Sequence, residues 1–120
     1  MGYLIVFLGA GIGGVLRQLI NVAAAQLGGA MPVGTLAINV AGSFAMGAIT
    51  EYFARHGGLP PHVRLFLTTG ILGGFTTFST YAFDSVVLMR DGEWTLALVN
   101  ALGQVVCGTT ALWVGFRLAS

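Results

Sequence analysis

Four stretches of this chain carry no charge at all. No Asp, Glu, Lys or Arg precedes Arg17, and none occurs in residues 18–50, 65–83 or 94–116. A helix crossing the hydrocarbon core of a bilayer needs about 20 predominantly apolar residues. Each uncharged stretch therefore reads as part of one crossing, because unpaired charge is expensive in lipid. Charged residues make up 8% of the chain and hydrophobic residues 56%, against about 25% charged in soluble domains. Four crossings use most of the 120 residues. The chain is thus a single all-α membrane domain, residues 1–120, with almost no mass outside the bilayer.

The spans are expected at Tyr3–Ala25, Val33–Phe53, Val63–Met89 and Trp94–Leu118. Gly28 and Gly29 turn between the first two. The segment from Arg55 to His62 forms the longest loop, with Pro60 and Pro61 that a helix interior would exclude. Arg90-Asp91-Gly92-Glu93 is a tight polar turn. Tyr3, Tyr52, Trp94 and Trp113 fall near span ends, where aromatic rings anchor at the interface. Both termini then share one side with Arg55, Arg64 and Arg117, while Arg90 stands on the other. A bias of three against one is weak and permits insertion in either orientation.

The third span is too long for one straight crossing, and it holds Gly70-Ile-Leu-Gly-Gly-Phe-Thr-Thr-Phe-Ser-Thr-Tyr81. Adjacent Gly73 and Gly74 accept the dihedral angles of an unwound turn, so the helix is expected to break there. In a bilayer, irregular backbone is tolerated where protein buries it or where it lines a cavity. The freed carbonyls of Gly73 through Thr76 are hard oxygen ligands suited to a monovalent cation such as sodium. A second half-helix starting near Ser79 presents amide N–H groups and partial positive charge to an anion. Ser79 and Thr80 add hydroxyls. Phe78 and Tyr81, three apart, project from one side, and an aromatic edge is electropositive. The bland alternative is an aromatic packing pair.

Polar residues inside the other spans divide in the same way between packing and function. Thr35, Asn39, Ser43 and Thr50 recur at helical spacing, with Ser43 and Gly47 a small-residue pair. Asn39 stands out because its amide brings two donors that need partners. Asn100, Gln104, Cys107 and Ala111 form a stripe on the fourth span. Arg17 and Asn21 lie one turn apart; Arg17 either snorkels to the interface or sits where an anion enters.

Other signals lead nowhere. Gly9, Gly11 and Gly14 formally spell a dinucleotide-binding fingerprint, but no acidic residue follows about 20 positions later; Gly9 and Gly13 read better as a helix-packing face. His56 and His62 are loop residues without further metal ligands, and Cys107 reads as a small apolar side chain. Asp84, the single acid within a span, is placed towards its aqueous end. The N-terminus lacks the basic region of a signal peptide and reads as a retained span. Net charge of +1 with no Lys excludes a nucleic-acid partner. No constellation of nucleophile, base and acid points to an enzyme.

Three segments resemble the Fluc (CrcB) fluoride channels. Gly34-Thr-Leu-Ala-Ile-Asn39-Val-Ala-Gly-Ser-Phe44 looks like that family's G-T-L-x-x-N-x-x-G-S-F element, residues 70–80 look like its third-helix break, and Gly13-Gly-Val-Leu-Arg17 looks like its first-helix G-x-x-x-R. Length and span layout match over the whole chain. The resemblance implies an antiparallel, dual-topology homodimer in the cell (inner) membrane, with two fluoride pores and a central structural sodium ion. It implies sodium on the backbone carbonyls of Gly73 and Thr76, and an ion pathway past Asn39, Phe78, Ser79, Thr80 and Tyr81, with Arg17 towards a vestibule. Two positions depart from the family. Tyr81 stands where the second aromatic is usually Phe, and Gln104 where the fourth helix commonly supplies a serine. A proton-coupled multidrug exporter would instead need a carboxylate deep in a span. A non-transporting scaffold subunit would not need the hydroxyl run.

Overall fold

A computed structural model describes all 120 residues, and every regular element in it is helical. Helix α1 covers Gly2–Ala25, α2 Val33–Arg55, α3 residues 61–75, α4 Phe78–Arg90 and α5 Trp94–Leu118. The boundaries of the first, second and fourth spans lie within two residues of the sequence expectation. Helices α1, α2 and α5 are each long and apolar enough to cross a bilayer. The third span is split. Its halves α3 and α4 are separated by Thr76 and Thr77, both extended (φ −79°, ψ 157° and φ −151°, ψ 116°). Loop glycines Gly28, Gly29, Gly57, Gly58 and Gly92 take positive φ, as their turns require.

The break is real but three residues later than expected. Gly73 is helical (φ −63°, ψ −38°), and Gly73–Phe75 closes α3 as α-helix. What Gly74 supplies is proximity: a Cβ there would lie 2.7 Å from the Ala10 Cα. The chain unwinds at Thr76–Thr77 because other groups take over the backbone there. The Thr77 N–H donates to Asn39 Oδ1 (2.9 Å), and the Thr77 hydroxyl caps α4 by accepting from the Thr80 N–H (3.2 Å). Threonine at this N-cap position is a preferred choice. Upstream, Leu65–Leu72 of α3 is wound as a π-helix, a rare form that is frequent at functional sites.

Packing is by small residues. Helix α1 lies on α3 through Gly9 and Gly13. A Cβ on Gly9 would sit 2.8 Å from the Gly70 Cα and the Phe66 oxygen, and one on Gly13 would collide with the Ile71 carbonyl oxygen. Helix α2 lies on α5 in the same manner, Gly47 against the Leu112 carbonyl and Gly115 against that of Phe44. Such backbone-to-backbone contact is how helices associate without a hydrophobic driving force. Only 16 of 120 residues are buried, and they include Thr35, Thr77, Ser85, Asn100 and Gln104. Large apolar side chains such as Phe7, Leu19, Val86, Leu102 and Val106 point outward. A polar interior inside an apolar exterior is the arrangement that suits lipid rather than water.

Candidate functional site

An open groove of about 350 Å³ runs along the break, between α2, the α3–α4 junction and α5. Asn39, Gly73, Thr76, Phe78, Tyr81 and Gln104 all line it. These positions come from three separate spans, so the fold brings together six of the nine site residues expected from sequence. Ser79 and Thr80 do not line it; they reach it through the Thr77 hydroxyl, which lies 3.4 Å from Ser79 Oγ and donates to Thr80 Oγ1 (3.1 Å). Arg17 is half-buried on α1, forms no ion pair, and lies apart from the groove.

The break frees backbone carbonyls at the end of α3, as any helix end does. In a continuous helix the Gly73 carbonyl would accept from the Thr77 N–H, but that N–H goes to Asn39. The Thr76 carbonyl accepts no backbone hydrogen bond either. Gly73 is exposed and Thr76 partly buried; both line the groove, and a backbone carbonyl is a hard oxygen donor of the kind cations take. The Thr76 side chain does not compete, because its hydroxyl bonds back to the Leu72 carbonyl (3.0 Å).

Phe78 opens α4 and is 77% exposed on this chain. Its ring meets Tyr81 edge-on, with centroids 5.4 Å apart and planes at 62°. A ring so exposed is not a core packing pair; it forms one wall of the groove. The Tyr81 hydroxyl is already engaged, donating to the Ala101 carbonyl on α5 (2.7 Å). The departure from Phe therefore ties the ring to α5 without freeing a hydroxyl for an ion.

Asn39 is held at three points. Its Oδ1 accepts from the Thr77 N–H, and its Nδ2 donates to the Thr77 carbonyl (3.0 Å) and to Gln104 Oε1 (2.8 Å). Gln104 Nε2 donates to Asn100 Oδ1 (3.2 Å), Asn100 Nδ2 to Ser85 Oγ (2.9 Å), and Ser85 Oγ to the Tyr81 carbonyl (3.0 Å). Thr77, Asn100 and Ser85 were not singled out as site residues. The i,i+4 spacing of Asn100 and Gln104 was visible in the sequence, but its meaning depends on Ser85 and Asn39 lying opposite. Asp84, midway along α4, accepts from the Thr35 hydroxyl (2.8 Å) and lines a separate pocket with Asp91 and Glu93.

Comparison with known proteins gives consistent matches along the whole chain. The family model described as "CrcB-like protein, Camphor Resistance (CrcB)" matches residues 4–116. A fluoride-specific ion channel FluC of Methylobacterium nodulans is 54% identical over 116 residues, covering 97% of this chain and 92% of the relative. A protein of the same name from Granulibacter bethesdensis is 50% identical over 119 residues, covering 98% and 94%. One from Solibacter usitatus is 39% identical over 124 residues, covering 99% and 98%.

Proposed function

Because this chain belongs to the CrcB-like family, we propose that it is a fluoride-specific channel that lets fluoride leave the cell passively. Near-full-length identity to channels of that name carries the reading, and the groove supplies a physical route for it. Phe78 and Tyr81 offer electropositive ring edges, and the hydroxyls of Ser79 and Thr80 stand behind Thr77, without a full positive charge that would trap the ion. Conduction needs several weak sites of this kind. Hydrogen fluoride crosses lipid and dissociates inside, so the anion needs a protein path. A potential of 100 mV supplies about 2.3 kcal/mol per charge, enough to drive it outward without ATP.

The groove is open on one side, and Phe78 is largely uncovered. A second copy closes it, and the weak charge bias across the membrane permits an antiparallel homodimer whose subunits insert in both orientations. Each subunit then crosses the inner membrane four times, the third crossing being the α3–α4 pair. Sodium fits the unpaired Gly73 and Thr76 carbonyls; two from each subunit make four hard oxygens around the dyad. Its positive charge would hold the two breaks against each other, as a structural ion rather than a transported one.

The test is fluoride and chloride efflux from liposomes containing the pure protein, followed by ion electrodes under a clamped potential. Fluoride efflux with negligible chloride efflux is expected. No fluoride current, or an equal chloride current, overturns the reading.

A further inference from the structure

We propose that Gln104, with Asn100 and Ser85 behind it, is a positioning residue: this relay dictates the orientation of the Asn39 amide, and Asn39 in turn splints the break. The proposal extends the channel reading, because the break it holds is the wall of the proposed pathway.

The direction of the relay follows from counting protons. Ser85 spends its single hydroxyl proton on the Tyr81 carbonyl, so towards Asn100 it can only accept. Asn100 must therefore turn Nδ2 to Ser85 and Oδ1 to Gln104. Gln104 must turn Nε2 to Asn100 and Oε1 to Asn39. Asn39 must then point Nδ2 at Gln104, which leaves Oδ1 for the Thr77 N–H. That same orientation lets the second Nδ2 proton reach the Thr77 carbonyl. Each step follows from the donor and acceptor inventory of the side chains.

The end of the relay is a two-point grip on the backbone of Thr77, the residue where the third span unwinds. A flipped Asn39 would present N–H to N–H and carbonyl to carbonyl there. Burial raises the stakes, since Asn100 is 0% exposed and Gln104 and Thr77 are each 7% exposed. An unpaired polar group in such surroundings is costly. Both Nδ2 protons of Asn39 are committed to protein acceptors, so it has no donor left for an anion. The span-four contribution is thus to hold the break open in one shape. The rival is a direct role for Gln104, which lines the groove and gives Nε2 only one protein acceptor.

The experiment compares parent, Gln104→Met and Ser85→Ala proteins, reading fluoride efflux from liposomes and residue-resolved amide hydrogen exchange by NMR. Gln104→Met keeps length and removes the acceptor. Ser85→Ala removes the origin of the direction at a residue that does not itself line the groove and meets Tyr81 only at its backbone carbonyl. Exchange at the Thr77 N–H is expected to quicken roughly fivefold in Gln104→Met, about what one hydrogen bond is worth, and about threefold in Ser85→Ala. Amides of α1 are expected to stay unchanged, and fluoride efflux to fall at least about fivefold in Gln104→Met. Reduced efflux with unchanged Thr77 exchange makes Gln104 an ion ligand and overturns the proposal. Unchanged exchange and efflux overturn it too, as does exchange that quickens equally in α1. Should Gln104→Met fail to fold, Ser85→Ala decides by the same criteria. A parent without fluoride efflux would defeat the channel reading, while the exchange comparison would still decide the splint.

Discussion

Gly13 gives the sharpest test of how the pathway is supported. It lies on α1, away from the groove, yet it meets the backbone of α3 just ahead of the break. A Cβ at Gly13 would collide with the Ile71 carbonyl oxygen and lie 2.7 Å from the Phe75 nitrogen. Optimal carbon contacts are about 3.5–4.0 Å, so Gly13→Ala forces α1 and α3 apart by about 1 Å. Overpacking typically costs about 1–3 kcal/mol. The obstacles here are backbone atoms that cannot rotate away, which places the cost at the upper end. Alanine returns up to about 1 kcal/mol of helix propensity, leaving a net loss of about 2 kcal/mol. Gly11 is the matched control: a Cβ there meets nothing within 4 Å, so Gly11→Ala should gain up to about 1 kcal/mol. The two variants should therefore differ by about 3 kcal/mol in equilibrium unfolding by circular dichroism in mixed micelles. Fluoride efflux should fall in Gly13→Ala alone, because Phe75 adjoins the unwound residues. Equal stability of the two variants would refute the account of α1 as a backbone-contact support.

Phe78→Ile should reduce fluoride efflux by more than about tenfold while changing the stability of the subunit fold by less than about 0.5 kcal/mol, since the ring makes little contact within its own chain and exposed substitutions rarely destabilise; unchanged efflux would remove Phe78 from the pathway. Tyr81→Phe should cost about 1 kcal/mol of stability by deleting the bond to the Ala101 carbonyl, as neutral hydrogen bonds do. Its efflux should stay within a few-fold of the parent, and a complete loss would mean that the hydroxyl meets the ion. Thr35→Val should cost about 1–3 kcal/mol by leaving Asp84 without its hydroxyl donor in a half-buried position. Unfolding curves that overlay those of the parent would show that water replaces the hydroxyl freely.

The composition and spacing of apolar residues made the helices legible. Segments without charge over some 20 residues have few alternatives in lipid, because backbone groups there must pair within the segment. Gly9 and Gly13 were legible as a packing face for the same reason: their spacing is a property of one helix. The interruption in the third span was also visible, since hydroxyls and aromatics within an apolar segment serve little purpose against lipid. Its position was not. Gly73 and Gly74 look like the breaker when only local dihedral freedom is considered, whereas Gly74 serves close approach to Ala10.

What the sequence by itself determined is therefore local: where the helices run, which faces pack, and that the third span is broken. The tertiary structure decided where it breaks and which polar groups remain available, because both depend on partners far away in the chain. Thr77 unwinds since Asn39, 38 residues earlier, takes its N–H and carbonyl. Asn39 faces that way since Gln104, 65 residues later, accepts its remaining proton. Tyr81 keeps an aromatic edge in the groove while its hydroxyl is spent on α5. Hydrogen bonds are allotted by distance and proton count in three dimensions, and no spacing along one helix encodes that allotment.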